Sequence, residues 1–109
     1  MRRVAVVDLP EAPLAAASAF HRDHLADIAA ILTGGEDVMI ALPPADHTHR
    51  EWRLAFAAGL AREHAPVRAN VVAGTADALD AFETYLGEAP GITGQYLEGD
   101  GQGAGDPAQ

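Results

Sequence analysis

The sequence predicts an α/β protein in which four short strands alternate with three helices, in the order βαβαβαβ, to form a parallel sheet. The first two predicted strands are short, mostly apolar runs without regular polar alternation, which is typical of strands buried on both faces. The stretches between these runs are rich in alanine and apolar at helical spacing. With 109 residues, 49% of them apolar and 21% charged, the chain has the size and composition of one globular domain.

The first strand and helix occupy the first third of the chain. Residues 3–9, RVAVVDL, form the first apolar run, which Pro10 and Pro13 end. Residues 14–32 predict a helix, since alanine favours helices and the large apolar side chains recur at roughly helical spacing. Those side chains are Phe20, Ile28, Ile31 and Leu32. Two glycines after Thr33 end the helix, because glycine tolerates the left-handed conformation that closes many helices.

The second strand and helix follow the same plan. Residues 37–42, DVMIAL, predict a buried strand that two prolines close. Thr48 and Glu51 have the spacing of a capping box, in which a threonine hydroxyl and a glutamate carboxylate bind backbone amides at a helix start. We expect this helix to continue to about Glu63. Its inward stripe is marked by Trp52, Phe56, Gly59 and Leu60.

A third strand and a shorter third helix come next. Pro66 precedes the strand run VRANVV at residues 67–72. Thr75 or Asp77 is placed to cap the following helix, and Gly87 is placed to end it. The apolar side chains of this helix are Leu79, Phe82 and Leu86.

The last part of the chain divides into a strand and a tail. Residues 93–98 are the candidate for the fourth strand, and residues 1–98 therefore form the predicted domain. From Gly99 onward the sequence is GDGQGAGDPAQ, which contains no large apolar residue to build a core. We expect residues 99–109 to be a disordered glycine-rich tail.

Composition excludes several classes of function. The formal net charge is −9, from sixteen acidic residues against seven basic ones, all arginine, whereas nucleic acids and anionic membranes bind basic surfaces. The absence of cysteine excludes disulfides, a thiolate nucleophile and cysteine-ligated metals. No apolar run approaches the ~18 residues of a membrane-spanning helix, and the first apolar stretch is too short for a signal peptide. We therefore expect a cytoplasmic protein that binds neither nucleic acid nor membrane.

Three motifs follow one another in the second half of the chain. They are LAREHAP at residues 60–66, VRANVVAG at residues 67–74 and GITGQYLEGDG at residues 91–101. In this order they resemble the end of the active-site helix, the next strand and the last strand of the short-chain dehydrogenases/reductases. The resemblance covers residues 46–102 well and residues 1–45 loosely, and it implies a Rossmann-like sheet. It also implies that the third helix lies opposite the first two, whereas the usual handedness of crossovers would place all three on one face.

Several positions depart from the family's pattern. The chain starts with the strand that lies halfway along those enzymes, so the glycine-rich turn that holds the cofactor pyrophosphate is missing. Counting back from the helix end places Asp46 at the family's catalytic tyrosine and Arg50 at its lysine. IALPP at residues 40–44 contains no counterpart of the family's serine, and Ala73-Gly74 replaces its proline–glycine pair. The resemblance therefore implies a truncated, degenerate member that keeps the fold and loses the reaction, and we expect no cofactor.

No residue is assigned as catalytic, but four polar side chains crowd the start of the second helix: Asp46, His47, His49 and Arg50. They follow a strand at the edge of the sheet where doubly wound folds bind ligands. One interpretation is a residual NAD(P)-dependent oxidoreductase with a histidine as general acid, or a small-ligand-binding regulatory module. The other is that Asp46 and Thr48 cap the helix while the imidazoles face water. An aspartate cannot replace the phenol, because a carboxyl with a pKa of about 4 has no proton to donate at neutral pH.

His21 and His24 are the candidates for metal ligands. They lie three residues apart on the first predicted helix, and Asp27 lies three residues further on, so that one helix face presents up to three ligand types. No fourth ligand is evident in the sequence, and the alternative is a solvated polar face. We therefore expect no metal site.

The resemblance also implies an assembly. In short-chain dehydrogenases the two helices before the third strand pair with those of another subunit as a four-helix bundle, and the last helix and strand form a second contact. We therefore expect a homo-oligomer, either dimer or tetramer, or a hetero-oligomer with a full-length short-chain dehydrogenase. A sheet of four strands with three helices agrees with this, since its first strand is a bare edge. The main functional hypothesis is a non-catalytic subunit.

Overall fold

The computed structural model describes residues 1–99. The elements, in chain order, are β1 (Arg2–Ala5), α1 (Pro13–Thr33), β2 (Val38–Leu42), a 3-10 turn (His47–His49), α2 (Arg50–His64), β3 (Ala69–Ala73), α3 (Ala76–Glu88) and β4 (Tyr96–Glu98). The predicted order βαβαβαβ is confirmed. Apart from Gly99, whose amide donates to the Ala73 carbonyl oxygen at 2.9 Å, the predicted tail lies outside the described residues.

The four strands form one parallel sheet in the order β1-β2-β3-β4. Every residue of the central strands β2 and β3 is buried, as predicted for strands covered on both faces. The predicted first strand extends to Leu9, but β1 ends at Ala5, and Val7 is 74% exposed. The Val6 amide still donates to the Ala41 carbonyl oxygen at 2.9 Å. The residues after Val6 have no partner strand within the described chain, because β2 ends at Leu42, one residue after Ala41.

The helices cover both faces of the sheet. On one face, Phe20 of α1 and Leu60 of α2 share a core cluster with Ile40 of β2. On the other face, Phe82 of α3 shares a second cluster with Met39 of the same strand. Because neighbouring residues of a strand point to opposite faces, the position of the third helix implied by the resemblance is confirmed. The strand order advances in one direction throughout, so the third crossover has the opposite hand to the first two, an exception to the general rule.

Two predicted helix boundaries are wrong. Thr48 and Glu51 form no capping box, since a 3-10 turn precedes α2 and the N-cap residue, His49, makes no side-chain capping bond. The Thr48 amide donates instead to the Asp46 carboxylate at 2.9 Å, because an aspartate two residues ahead is a strong local acceptor. Gly87 does not end α3, which continues for one more residue before its C-cap at Ala89.

The motifs around β3 and β4 hold these two strands together. Asn70 is fully buried, and its side chain donates to the Ile92 carbonyl oxygen and accepts from the Gln95 amide, each at 3.0 Å. The Ala69 amide donates to the Thr93 hydroxyl at 3.0 Å. Buried polar groups require partners, and here the loop before β4 provides them. The residues that carry the family resemblance in this region therefore have a structural role.

Candidate functional site

A pocket of about 500 Å³ lies beyond the carboxyl ends of β1 and β2. Its walls come from Leu9–Glu11 after β1, Pro43–Asp46 after β2, Ala16 of α1, and His49 and Arg53 at the start of α2. Open parallel sheets bind ligands outside the carboxyl ends of their strands, because loops from several strands converge there. The predicted region thus coincides with this pocket, although only two of the four predicted side chains line it.

Asp46 is one of those two, and it acts as a cap. Its Oδ1 accepts from the Thr48 amide at 2.9 Å and from the Thr48 hydroxyl. These two hydrogen bonds lower the pKa of Asp46 below its ordinary value, and the bond from the Thr48 hydroxyl has the larger effect. Since a lowered pKa keeps the carboxylate ionised at neutral pH, Asp46 is an acceptor and a negative charge at the pocket wall.

His49 is the other, and both of its ring nitrogens are occupied. The indole Nε1 of Trp52 lies 2.9 Å from Nδ1, and the backbone oxygen of Glu11 lies 2.9 Å from Nε2. An indole nitrogen only donates, so Nδ1 must accept and Nε2 must carry the proton that it donates to Glu11. The contacts thus correspond to the Nε2–H tautomer of His49, and through them His49 joins the loop after β1 to α2.

His47 and Arg50 point elsewhere. His47 is exposed on the 3-10 turn and does not line the pocket. The Nη1 of Arg50 lies 3.2 Å from a carboxylate oxygen of Glu98 on β4, and both side chains are about half exposed. An exposed ion pair of this kind contributes little to stability. Arg50 thus pairs with a residue of β4 and Asp46 with Thr48 of the 3-10 turn, although Arg50 and Asp46 are only four positions apart in the sequence.

Arg53 is the residue that the sequence analysis missed. It is 2% exposed, and its Nη1 donates to the Pro43 carbonyl oxygen and to the Tyr96 hydroxyl, each at 3.0 Å. Burial raises the pKa of Tyr96, and the hydrogen bond from Arg53 opposes this rise only in part. A signal was present, because Arg53 lies three residues before Phe56 and seven before Leu60, which is inward spacing on a helix.

The predicted metal candidates lie on α1, away from the pocket. The His24 ring centre is 6.2 Å from that of Phe20, and the His21 ring centre is 6.1 Å from that of Phe56. Among residues 1–99 no group of three or more His, Cys, Asp or Glu side chains is placed to hold a metal ion. Within the same residues, no helix combines the length and apolar character that crossing a bilayer requires.

A parallel sheet covered by helices on both faces, with a pocket beyond the carboxyl ends of its strands, defines the doubly wound class of α/β proteins. A family model described as short chain dehydrogenase-like protein matches residues 4–99. Because the match spans nearly the whole chain, the protein belongs to this SDR-like family. No curated protein and no solved structure matches the chain.

Proposed function

We propose that this chain is a non-catalytic subunit of the short-chain dehydrogenase class that associates with a second copy of itself. The non-catalytic role rests on the ionisation state of Asp46. By resemblance, this residue stands at the position of the family's proton-donating tyrosine. Its hydrogen bonds to Thr48 favour the ionised form, so that it has no proton to give to a substrate at neutral pH.

The neighbouring side chains do not supply the missing acid. The Nε2 proton of His49 is committed to the Glu11 carbonyl oxygen, and its Nδ1 accepts from Trp52. Arg50, at the position of the family's lysine, is paired with Glu98. A general acid must present its proton to the reacting atom with a suitable pKa, and none of these groups is arranged to do so.

The edge of the sheet at β1 supports self-association. Among the described residues β1 pairs with β2 alone, and alternation of the ladder directs the amides of Arg3 and Ala5 to the open side. The side chain of Val7 is largely exposed beyond this edge. An exposed apolar strand edge is a template for another strand, and a second copy offers the same edge through a two-fold axis.

Charges near this edge do not oppose pairing. Arg2 is bonded to Glu36 at 3.2 Å, and Arg3 to Asp80 at 2.7 Å and Glu83 at 3.3 Å. Both arginines are therefore neutralised within their own chain, and like charges on two approaching edges repel less. Antiparallel pairing of two β1 strands would continue the sheet from one copy into the other.

Sedimentation equilibrium tests the association. We expect the wild-type protein to be a dimer and Val7→Lys to be a monomer, because a lysine at the strand edge opposes pairing. Leu54→Lys is the matched control, since Leu54 is an exposed leucine, 38% accessible, on α2. A dimer lost in Leu54→Lys and kept in Val7→Lys would place the contact on the helices, and a monomeric wild type would contradict self-association.

A cofactor titration tests the absence of catalysis. We expect NADPH and NADH to show no saturable change in fluorescence when the protein is added at millimolar cofactor. Saturable binding, together with reduction of any carbonyl substrate that depends on Asp46 or His49, would contradict the non-catalytic role. The dimer and the missing reaction are thus checked by separate measurements.

A further inference from the structure

Arg53 is the most deeply buried ionised side chain among residues 1–99, and no carboxylate of those residues pairs with it. Its guanidinium carbon lies 5.5 Å from the ring centre of Trp52 and 5.8 Å from that of Tyr96. Aromatic faces stabilise a cation, but a carboxylate does so more strongly. A buried cation without a counter-ion is costly, so this site favours the entry of an anion.

The hydrogen bonds of Arg53 occupy only one corner of its guanidinium. Nη1 donates to the Pro43 carbonyl oxygen and to the Tyr96 hydroxyl. Nε is buried and has no partner in the described part of the chain. A guanidinium has further N–H donors that bind carboxylates, and Nη2 makes none of the hydrogen bonds of Arg53 within the described chain. Arg53 itself lines the pocket described above, so a ligand there lies beside it.

The start of α1 adds a second positive feature to the same pocket. Ala12, the N-cap residue of this 21-residue helix, makes no side-chain capping bond, and the first turn contains no acidic residue. Ala16, one turn into the helix, lines the pocket. Amides and the dipole at the start of a long helix favour negative charge. The Ala16 amide is bonded to the Ala12 carbonyl oxygen at 2.8 Å and Pro13 has no N–H, so α1 contributes its dipole to the pocket, not a free amide at the wall.

The remaining walls define the rest of the ligand. Most are apolar side chains from the two strand ends: Leu9, Pro10, Pro43, Pro44 and Ala45. Glu11 and Asp46 are exposed acidic residues of the same lining; their charges oppose an anionic ligand in part, and they oppose one with two negative charges most strongly. A volume of about 500 Å³ is ordinary for a small-molecule site.

We propose that this pocket binds a small monocarboxylic acid with an apolar aliphatic or alicyclic body, whose carboxylate pairs with the guanidinium of Arg53. The apolar body lies among the prolines, and the carboxylate supplies the counter-ion that the buried guanidinium lacks. No reaction is required, so the site is a binding site that is compatible with a non-catalytic subunit. The inference is independent of self-association, because the pocket and the β1 edge share no residue.

The chain contains one tryptophan, Trp52, and its ring contacts both Arg53 and His49 at the pocket wall, so its fluorescence reports on the site. We expect cyclohexanecarboxylate to change this fluorescence saturably in the millimolar range. The neutral cyclohexanecarboxamide should bind about tenfold more weakly, because it lacks the charge that strengthens hydrogen bonds to a guanidinium. The dianion cyclohexane-1,4-dicarboxylate should also bind more weakly than the monocarboxylate.

Two variants and one control assign the effect to the site. Arg53→Lys keeps the charge but loses the planar guanidinium and its array of donors, so affinity should fall about tenfold. Asp46→Asn removes a wall charge while keeping a capping residue, so affinity should rise about two- to fivefold. Arg62→Lys, on the exposed end of the same helix, should change nothing. If Arg53→Lys does not fold, the acid–amide comparison and Asp46→Asn still decide.

Equal affinity for the acid and the amide, unchanged affinity in Arg53→Lys, or no saturable signal with the monocarboxylate would each overturn the proposal. A monomer that binds the acid contradicts the subunit role and leaves this site intact. A dimer that does not bind the acid contradicts this site and leaves the subunit role intact. The two proposals therefore fail separately.

Discussion

Arg68 and Asp37 join the amino ends of β3 and β2 through two hydrogen bonds to one carboxylate. The Arg68 amide donates to Oδ1 at 2.8 Å, and its Nε donates to Oδ2 at 3.0 Å. The Nη1 of the same arginine donates to the carbonyl oxygens of Leu86, Ala89 and Ile92. One side chain thus connects the central strands to the end of α3 and to the loop before β4.

This connection predicts a loss of stability in acid. Burial opposes ionisation of Asp37, but the backbone and guanidinium hydrogen bonds from Arg68 outweigh it and lower the pKa of the carboxyl. The stabilisation is therefore complete above the unfolded-state pKa of about 3.9 and is lost as the pH falls through the lower folded-state value. Urea unfolding over a series of acidic pH values measures it.

Asp37→Asn should lower the free energy of unfolding at neutral pH by about 1–2 kcal/mol and should flatten its decline in acid. Asp27→Asn is the control, because Asp27 is an exposed aspartate on α1 and should leave both unchanged. An unaltered acid limb in Asp37→Asn would show that other carboxyls account for acid unfolding.

The two histidines of the candidate site should differ in their contribution to stability. His49→Ala removes the acceptor of Trp52 and the donor to Glu11, and it leaves the indole N–H without its partner. We expect a loss of about 2–3 kcal/mol in the free energy of unfolding. His47→Ala, at an exposed position, should change it by less than about 0.5 kcal/mol. Equal effects would contradict a stabilising role for the two hydrogen bonds of His49.

Apolar patterning predicted the central sheet well and the edge poorly. β2 and β3 are buried on both faces, so all of their residues except Asn70 are apolar whichever face they point to, and the sequence shows it directly. The run from Val6 to Leu9 is apolar apart from Asp8, yet Val7 is exposed because no neighbouring strand in the described chain covers it. The composition of a segment gives its side chains but does not show how many neighbouring strands it has in the sheet.

The sequence predicted where the site lies, but it did not predict the hydrogen bonds of the side chains there. Asp46 and His49 line the pocket as expected, because strand ends and helix starts meet there. Their hydrogen bonds depend on Thr48, Trp52 and Glu11, and the last of these comes from a loop 38 residues away. Arg53 was overlooked because the predicted inward stripe of α2 was Trp52, Phe56, Gly59 and Leu60, whereas the buried residues of this helix are Arg53, Ala57 and Leu60.

Two glycines should respond oppositely to alanine. A Cβ at Gly74 would lie 2.8 Å from the Gly99 backbone oxygen and 2.8 Å from the Ala78 Cβ. Gly74→Ala should therefore lower the free energy of unfolding by about 1–3 kcal/mol, as overpacking does. Gly87 is helical and has no neighbour within 4 Å of an added Cβ, so Gly87→Ala should raise it by about 0.5–1 kcal/mol. Thermal and urea unfolding of the two variants measures both, and changes of the same sign would contradict the close approach at Gly74.

Tyr96 should ionise at higher pH than an ordinary tyrosine. Burial disfavours the phenolate and raises the pKa of Tyr96, although Arg53 partly offsets the effect. The chain has two tyrosines, so Tyr85→Phe leaves the ultraviolet titration of Tyr96 alone. We expect a midpoint above the usual value of about 10.

The sign of the linkage gives an independent check on the same residue. A raised folded-state pKa means that the stabilisation from neutral Tyr96 is present below the unfolded-state pKa and is lost as the pH rises through the folded-state value. Tyr96→Phe should remove this alkaline loss, and it should also cost about 1 kcal/mol at neutral pH, because Arg53 loses one acceptor. A midpoint at or below about 10 in Tyr85→Phe would mean that the guanidinium outweighs burial. In that case the Tyr96 phenolate would already be a counter-ion of Arg53 at high pH, and the affinity of the pocket for a monocarboxylate should fall there.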